Sequence, residues 1–240
     1  MRSLSKAAEK KIKQLRQKKF RDQTDCFLAE GDKLIRQLSN SRCRLSQLYW
    51  TKDDLGLGGV QIDPEELKQI SAQEHPANSL AVFLKAEAAE RKSSDAVLEL
   101  YLEEVQDPGN LGTILRTANW FGHQQIWMSA NSADPYSPKA VQSSMGAIGS
   151  LQMHRCSLEE CLAQWQKDNR WVVAADMDGS DYRSLEREKI GVIIGNEGRG
   201  LSKMARGSAH ELVHVPRGGS SHMESLNAAV SAAILMAKLA

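Results

Sequence analysis

Three short stretches combine chemically capable side chains with backbone that can come close to a ligand. In VIIGNEGRGLS, Val192 to Ser202, an apolar run ends at Gly195 and leads into Asn196-Glu197-Gly198-Arg199-Gly200. Three glycines in six residues let the main chain approach a bound molecule closely. The carboxylate of Glu197 would repel a phosphate, so a cationic or neutral ligand suits this loop better. In EEVQDPGNLGTILRTANWFG, Glu103 to Gly122, the turn Asp107-Pro108-Gly109-Asn110 opens a helix, and Arg116 follows Asn110 by six residues. A guanidinium stays protonated and binds anions, so Arg116 is either a solvated surface charge or a group aimed at a ligand. In VHVPRGGSSHMESLNAAVSAAIL, Val213 to Leu235, a strand ends at Val215-Pro216 and a Gly/Ser loop follows. Glu224-Ser225-Leu226-Asn227 then begins the last helix. Ser225 and Asn227 are both competent N-caps, so capping alone leaves one of them redundant.

The same stretches exclude several chemistries. Gly195, Gly198 and Gly200 have the spacing GxxGxG, which is not the dinucleotide fingerprint, and no Lys-Ser/Thr pair completes a P-loop. Cys26, Cys43, Cys156 and Cys161 lack CxxC spacing and nearby histidines, so no metal site is expected and reduced cytoplasmic thiols are.

The elements that must hold these loops follow from hydrophobic periodicity. Leu111, Ile114, Leu115, Ala118 and Phe121 fall within an arc of about 120° on a helix and form a buried stripe. Arg116 lies outside that arc, between Gly112 one turn before and Asn119 and Trp120 one turn after. Asn110 reads as the N-cap. Strands are predicted at 97–102, 125–129, 151–154, 171–175, 191–194 and 211–215. Helices are predicted at 111–121, 158–167, 201–207 and 226–239. This alternation implies an α/β fold with a mostly parallel sheet and ligand-binding loops at the carboxyl ends of the strands. Ahead of it, 5–20 reads as one amphipathic helix, 45–51 and 79–85 as strands, and DPEELKQISA as a helix with Pro just inside its start. The domain reading is therefore a smaller α/β domain over 1–90, a polar linker over 91–96 and a larger α/β domain over 97–240.

The formal net charge of +1 hides an asymmetry. Residues 1–21 hold nine Lys/Arg against one acid, a charge of about +8. Within it Lys10, Lys11, Lys13, Arg16, Lys18, Lys19 and Arg21 are candidates for contact with a polyanion, nucleic acid first. The competing reading is a solvated helix face. No apolar run reaches the length of a membrane span, and no signal peptide is visible.

Three ordered segments, NLGTILR (Asn110–Arg116), GNEGRGL (Gly195–Leu201) and ESLN (Glu224–Asn227), resemble the SpoU (TrmH-like) family of SPOUT methyltransferases. The stretch KKFRDQTDCFLAEGDKLI resembles the ribosomal-protein-like RNA-binding domain that often precedes that catalytic domain. The resemblance implies a C-terminal deep trefoil knot, S-adenosyl-L-methionine as cofactor, a cytoplasmic homodimer, and methyl transfer to a ribose 2′-hydroxyl of tRNA or rRNA. A non-catalytic RNA-binding or ribosome-assembly protein that keeps the fold is the alternative. Carried onto this sequence, the catalytic set is Arg116, Asn110, Glu197, Ser225 and Asn227. The cofactor-binding set is Gly195, Asn196, Gly198, Val215, Pro216 and Leu226. The loop Arg217–Met223 departs from the pattern by being longer than the compact third motif.

Overall fold

The computed structural model describes residues 3–87, 96–220 and 222–239. In chain order the elements are α1 (Lys6–Gln14), α2 (Lys18–Thr24), β1 (Cys26–Glu30), α3 (Asp32–Ser39), β2 (Arg44–Trp50), β3 (Val60–Gln61), α4 (Pro64–Ile70) and β4 (Ser79–Leu84). They continue with β5 (Leu98–Leu102), α5 (Pro108–Trp120), β6 (Gln125–Met128), α6 (Pro138–Ser144), β7 (Gln152–Arg155), α7 (Leu158–Lys167) and β8 (Trp171–Asp181). The last are β9 (Ile190–Ile194), α8 (Lys203–Ser208), β10 (Glu211–His214) and α9 (Ala228–Leu239). The chain forms two compact units. One gathers Met1–Ala88 with Asp134–Ser150, and the other gathers Ala89–Ala133 with Leu151–Ala240. Residues 91–95 of the linker read over 91–96 lie outside the described residues.

The first unit is built on a four-stranded sheet of order β1-β4-β2-β3, in which β4 runs antiparallel to both β1 and β2. Ile12, Leu15, Leu28, Leu67, Ile70 and Leu80 meet in its core. The single helix expected over 5–20 is instead two, because Leu15 turns into that core and Arg16 donates to the carbonyls of Gln69 and Ser71. α4 starts where its sequence directs, with Asp63 and Glu66 forming a capping box and Pro64 at the first helical position. The segment 134–150 joins this unit through α6 against β1, with Tyr136 against Phe27 and Asp134 paired to Arg21.

The second unit carries a six-stranded sheet of order β10-β8-β9-β5-β6-β7, and every pairing in it is parallel. β5 and β9 are buried along their whole length, as sheet strands covered on both faces must be. Their register aligns Leu102 with Ile194, so the loops that follow them leave the same edge side by side. β8 was expected to end near Ala175 but continues to Asp181, because its later residues pair with β10. That pairing jumps from Leu212–Ala174 to Val213–Ser180. Gly179 permits the approach: a Cβ there would stand 2.3 Å from the carbonyl carbon of Leu212. α5 packs against α9. Among the described residues no helix is long and apolar enough to cross a membrane.

Candidate active site

α5 begins with Asp107, not Asn110. The Asp107 side chain accepts from the Asn110 backbone N–H at 2.9 Å, and Pro108 occupies the first helical position, where its missing donor costs nothing. Asn110 therefore sits inside the first turn with its side-chain amide free for other partners. The last helix shows a parallel correction. Its start is capped by Asn227, whose Oδ1 accepts from the backbone N–H groups of Ala229 and Val230 at 2.9 and 3.3 Å. Ser225 is exposed and makes no side-chain hydrogen bond among the described residues.

The loop after β9 is held by its own asparagine. Asn196 Oδ1 accepts from the backbone N–H groups of Gly198 and Arg199, both at 2.9 Å, and its Nδ2 donates to the Glu104 carbonyl at 2.8 Å. Asn196 and Gly200 close the loop with paired backbone bonds of 3.1 and 3.0 Å. A Cβ on Gly195 would lie 2.8 to 2.9 Å from Gly200 and Leu201, so a larger residue there would push the loop open. Glu103 and Glu104, the two acids that follow β5, complete the frame. Glu103 accepts from the Ser202 N–H at 2.8 Å, and Glu104 pairs with Arg199 at 2.5 Å. Sequence reasoning gave neither acid a role. Their signal was position, since consecutive carboxylates directly after a buried strand face the open ends of neighbouring loops.

Glu197 joins the three motifs. Its Oε1 accepts from Asn110 Nδ2 at 3.0 Å, and its Oε2 accepts from the Gln106 N–H at 3.4 Å. Asn110 Oδ1 in turn accepts from Asn227 Nδ2 at 2.9 Å. A carboxylate, two amides and the amino end of α9 thus form one continuous chain of hydrogen bonds. Arg116 lies about 9 Å further along the α5 axis, at 1.5 Å per residue. It is exposed, and its guanidinium makes no hydrogen bond or ion pair with the described residues. Val215 and Pro216 follow β10, an edge strand parallel to β8 and so to the rest of the sheet, and they leave at the same edge as the other loops. Leu226, 47% exposed, immediately precedes Asn227.

The electrostatics favour a cationic guest. Arg199 is the one basic residue in Gly195–Leu201, and Glu104 occupies it. Glu197 keeps an exposed carboxylate at the loop tip.

The basic residues of the first unit divide by surroundings. Lys10, Lys11, Lys18 and Lys19 are exposed, Lys13 pairs with Glu9, and Arg16 is exposed while bonding to backbone carbonyls. Arg21 does not belong with them. It is 2% exposed and donates to Asp134 and to the Leu15 carbonyl, so it holds the unit together and cannot meet a phosphate.

Comparison with known proteins gives the family of the chain. Residues 97–237 match the SpoU rRNA Methylase family, and residues 8–81 match the MRM3-like substrate binding domain. The chain is 28% identical over 249 residues to the 23S rRNA (guanosine(2553)-2′-O)-methyltransferase RlmP of Bacillus subtilis, covering 98% of both chains. A TrmH-family protein from Porphyromonas gingivalis superposes with a TM-score of 0.83 at 34% identity, over 98% of each chain. An AdoMet-bound rRNA methyltransferase from Sinorhizobium meliloti gives 0.87 at 26% identity, over 99% of this chain and 97% of that one. With its three motif loops joined through Glu197, Asn110 and Asn227, this chain belongs to the SpoU rRNA methylase family.

Proposed function

We propose that this protein is an S-adenosyl-L-methionine-dependent methyltransferase acting on a ribose 2′-hydroxyl of rRNA or tRNA. The hydrogen-bonded chain Glu197–Asn110–Asn227 carries this reading, because it brings three distant loops of the sequence to one edge of a parallel sheet. The donor set suits the cofactor. Gly195 leaves no room for a side chain, Glu197 offers a carboxylate to a cation, and Met223 and Leu226 expose apolar surface that an adenine could cover. Gly195, Asn196, Gly198, Val215, Pro216 and Leu226 would hold it, chiefly through backbone. When bound, S-adenosyl-L-methionine supplies an electrophilic methyl group on a sulfonium.

The residues of this chain then have to seat the ribose. Catalysis of this kind rests on holding the attacking oxygen in line and within about 3–3.5 Å of the carbon it attacks. Arg116, exposed and without a partner among the described residues, grips a phosphate beside the target nucleotide and fixes its sugar. It serves as a clamp and not as a base, because a guanidinium does not readily give up its proton. Glu197, Asn110 and Asn227 keep α5, and with it Arg116, in register with the cofactor loops. Ser225, two residues before Asn227, belongs to the same set by the resemblance.

Three finer features belong to the same proposal. The chain end is threaded as a deep trefoil knot. β9 lies between β5 and β8, β10 lies beyond β8, and α9 must then cross back over these strands to reach α5. Knots are rare enough that only the family resemblance makes this the preferred path. The protein works as a homodimer, a reading that rests on the resemblance. Its four free thiols suit the cytoplasm.

The test is Arg116→Ala, followed by calorimetry with S-adenosyl-L-methionine and by tritium transfer to unmodified ribosomal RNA. The expected result is retained cofactor binding with transfer lost. Retained turnover would remove Arg116 from the mechanism. A wild-type protein that fails to bind the cofactor at millimolar concentration would instead be a non-catalytic RNA-binding protein.

A further inference from the structure

Glu104, the second acid after β5, has a φ of 54°, in the left-handed region that residues other than glycine rarely adopt. Such a conformation persists where neighbouring groups hold it. Here they belong to the loop 129–133 that follows β6. Ser129 Oγ accepts from the Glu104 backbone N–H at 2.9 Å, and Asn131 Nδ2 donates to Glu104 Oε1 at 3.1 Å. Arg155 pins that loop in turn, donating to the carbonyls of Ser129, Ala130, Ser132 and Ala133 at 2.7 to 3.1 Å. On its other side Glu104 meets the glycine-rich loop twice, through its carbonyl with Asn196 and through Oε2 with Arg199.

The bond to Asn196 needs only the backbone, which a glycine would provide without strain. What glutamate adds is a carboxylate, and its two oxygens are aimed by Asn131 and Arg199. Residues 103, 104 and 195–201 carry three carboxylates, Glu103, Glu104 and Glu197, against the single guanidinium of Arg199. A methyl donor with a sulfonium and the product it leaves differ by one methyl group and one positive charge, since transfer turns the sulfonium into a neutral thioether. A charge gained or lost on these loops therefore bears on the donor more than on the product. Between partly exposed groups such a charge changes affinity by a factor of a few.

We propose that Glu104 is a positioning residue that holds and neutralises Arg199, and so sets the preference of the cofactor loops for the cationic donor over its neutral product. This rests on the methyltransferase reading given above. The contacts from Ser129, Asn131 and Arg155 then fix the direction of the carboxylate, and the left-handed backbone of Glu104 is what turns it towards Arg199. A product held less tightly than the donor also leaves the loops free for the next turnover.

The experiment is calorimetry with S-adenosyl-L-methionine and with S-adenosyl-L-homocysteine, read as the ratio of the two affinities. It compares wild type, Glu104→Gln, Arg199→Gln and the double variant. Glutamine keeps the shape of either contact and removes the charge. Glu104→Gln should weaken the donor by about 3- to 5-fold and leave the product nearly unchanged. Arg199→Gln should move the ratio the opposite way by a similar factor, and the double variant should return it to the wild-type value. Both shifts should shrink at high salt. Glu104→Gly, which keeps the left-handed backbone without strain, should give the same ratio as Glu104→Gln. Equal weakening of both ligands by Glu104→Gln would make Glu104 a brace for the loop alone and overturns the inference, with the methyltransferase reading left in place. So does an unchanged ratio in both single variants. A wild-type protein that binds neither ligand and methylates no RNA overturns both.

Discussion

Asn227 and Asn110, 117 residues apart in sequence, share a hydrogen bond of 2.9 Å from Nδ2 of the first to Oδ1 of the second. Each asparagine uses its other amide atom at a second place. Asn227 caps α9 through Oδ1, and Asn110 reaches Glu197 through Nδ2. Two amides placed back to back can relay such a chain, since each offers both a donor and an acceptor. A carboxylate at either position could accept but not donate, and the chain would break.

The two jobs of Asn227 can be separated. Asn227→Ser keeps an oxygen able to cap α9 but is too short to reach Asn110, whereas Asn227→Ala loses both bonds. Loss of an N-cap costs about 1 kcal/mol, which for a chain of this size lowers Tm by roughly 2–4 °C. Thermal melts should therefore show the deficit in Asn227→Ala and little of it in Asn227→Ser. Tritium transfer should fall at least about tenfold in both, because a shift of one ångström at a positioning contact is enough to do so. Full activity in Asn227→Ser would mean that the bond to Asn110 is dispensable.

Much of this arrangement could be read from residue types, and the misreadings have physical causes. The stripe Leu111, Ile114, Leu115 and Ala118 gave α5, and the apolar run ending at Gly195 gave β9 and its loop, because burial imposes periodicity. The caps were displaced because Asp107 and Asn110, like Ser225 and Asn227, are equally good cap formers, and only packing decides which is used. α6 was missed since its seven residues, PKAVQSS, are too few to show a period. The association of 134–150 with the first unit depends on Asp134 meeting Arg21 and Tyr136 meeting Phe27, contacts more than a hundred residues apart. The same pairing withdrew Arg21 from the basic surface, and composition gave no sign of it.

Glu99 in β5 and Arg170 form a buried ion pair at 3.2 Å, with side chains 3% and 0% exposed. The other oxygen of Glu99 accepts from the indole N–H groups of Trp127 and Trp165 at 2.8 and 2.7 Å. Glu99→Gln leaves the arginine charge without its counter-ion in the core, a change that costs about 3–5 kcal/mol. Urea denaturation should show a loss of that order, and Arg170→Met in the Glu99→Gln background should restore part of it. Additive losses in the double variant would show that the two charges stabilise the unit independently.

His123 follows α5 and is buried, and that burial lowers its pKa below the ordinary histidine value. The folded state thus resists a proton that the unfolded chain accepts. Stability is unaffected by His123 well above the unfolded value of about 6.5 and falls as pH drops through it, because the unfolded state then binds more protons. The drop in Tm between pH 7.5 and 5.5 should be smaller in His123→Phe than in wild type. Identical drops would show that other groups set the acid limb.

The exposed lysines of the first unit provide the last test, which turns on which basic residues can reach a phosphate. Deleting residues 1–21 would be uninformative, because it removes Ile12 and Leu15 from the core and Arg21 from Asp134. Replacing Lys10, Lys11, Lys18 and Lys19 with glutamine leaves those contacts alone, since all four side chains are exposed. Each phosphate neutralised on a single strand contributes about 0.7 to the slope of log K against log salt. If all four lysines meet phosphates, the quadruple variant should flatten that slope by nearly 3, as read by anisotropy of labelled ribosomal RNA fragments. Affinity at low salt should fall while affinity at high salt converges on wild type, because the lost term is counterion release. An unchanged slope would make this surface an ordinary solvated helix face and move the electrostatic contact with RNA elsewhere on the protein.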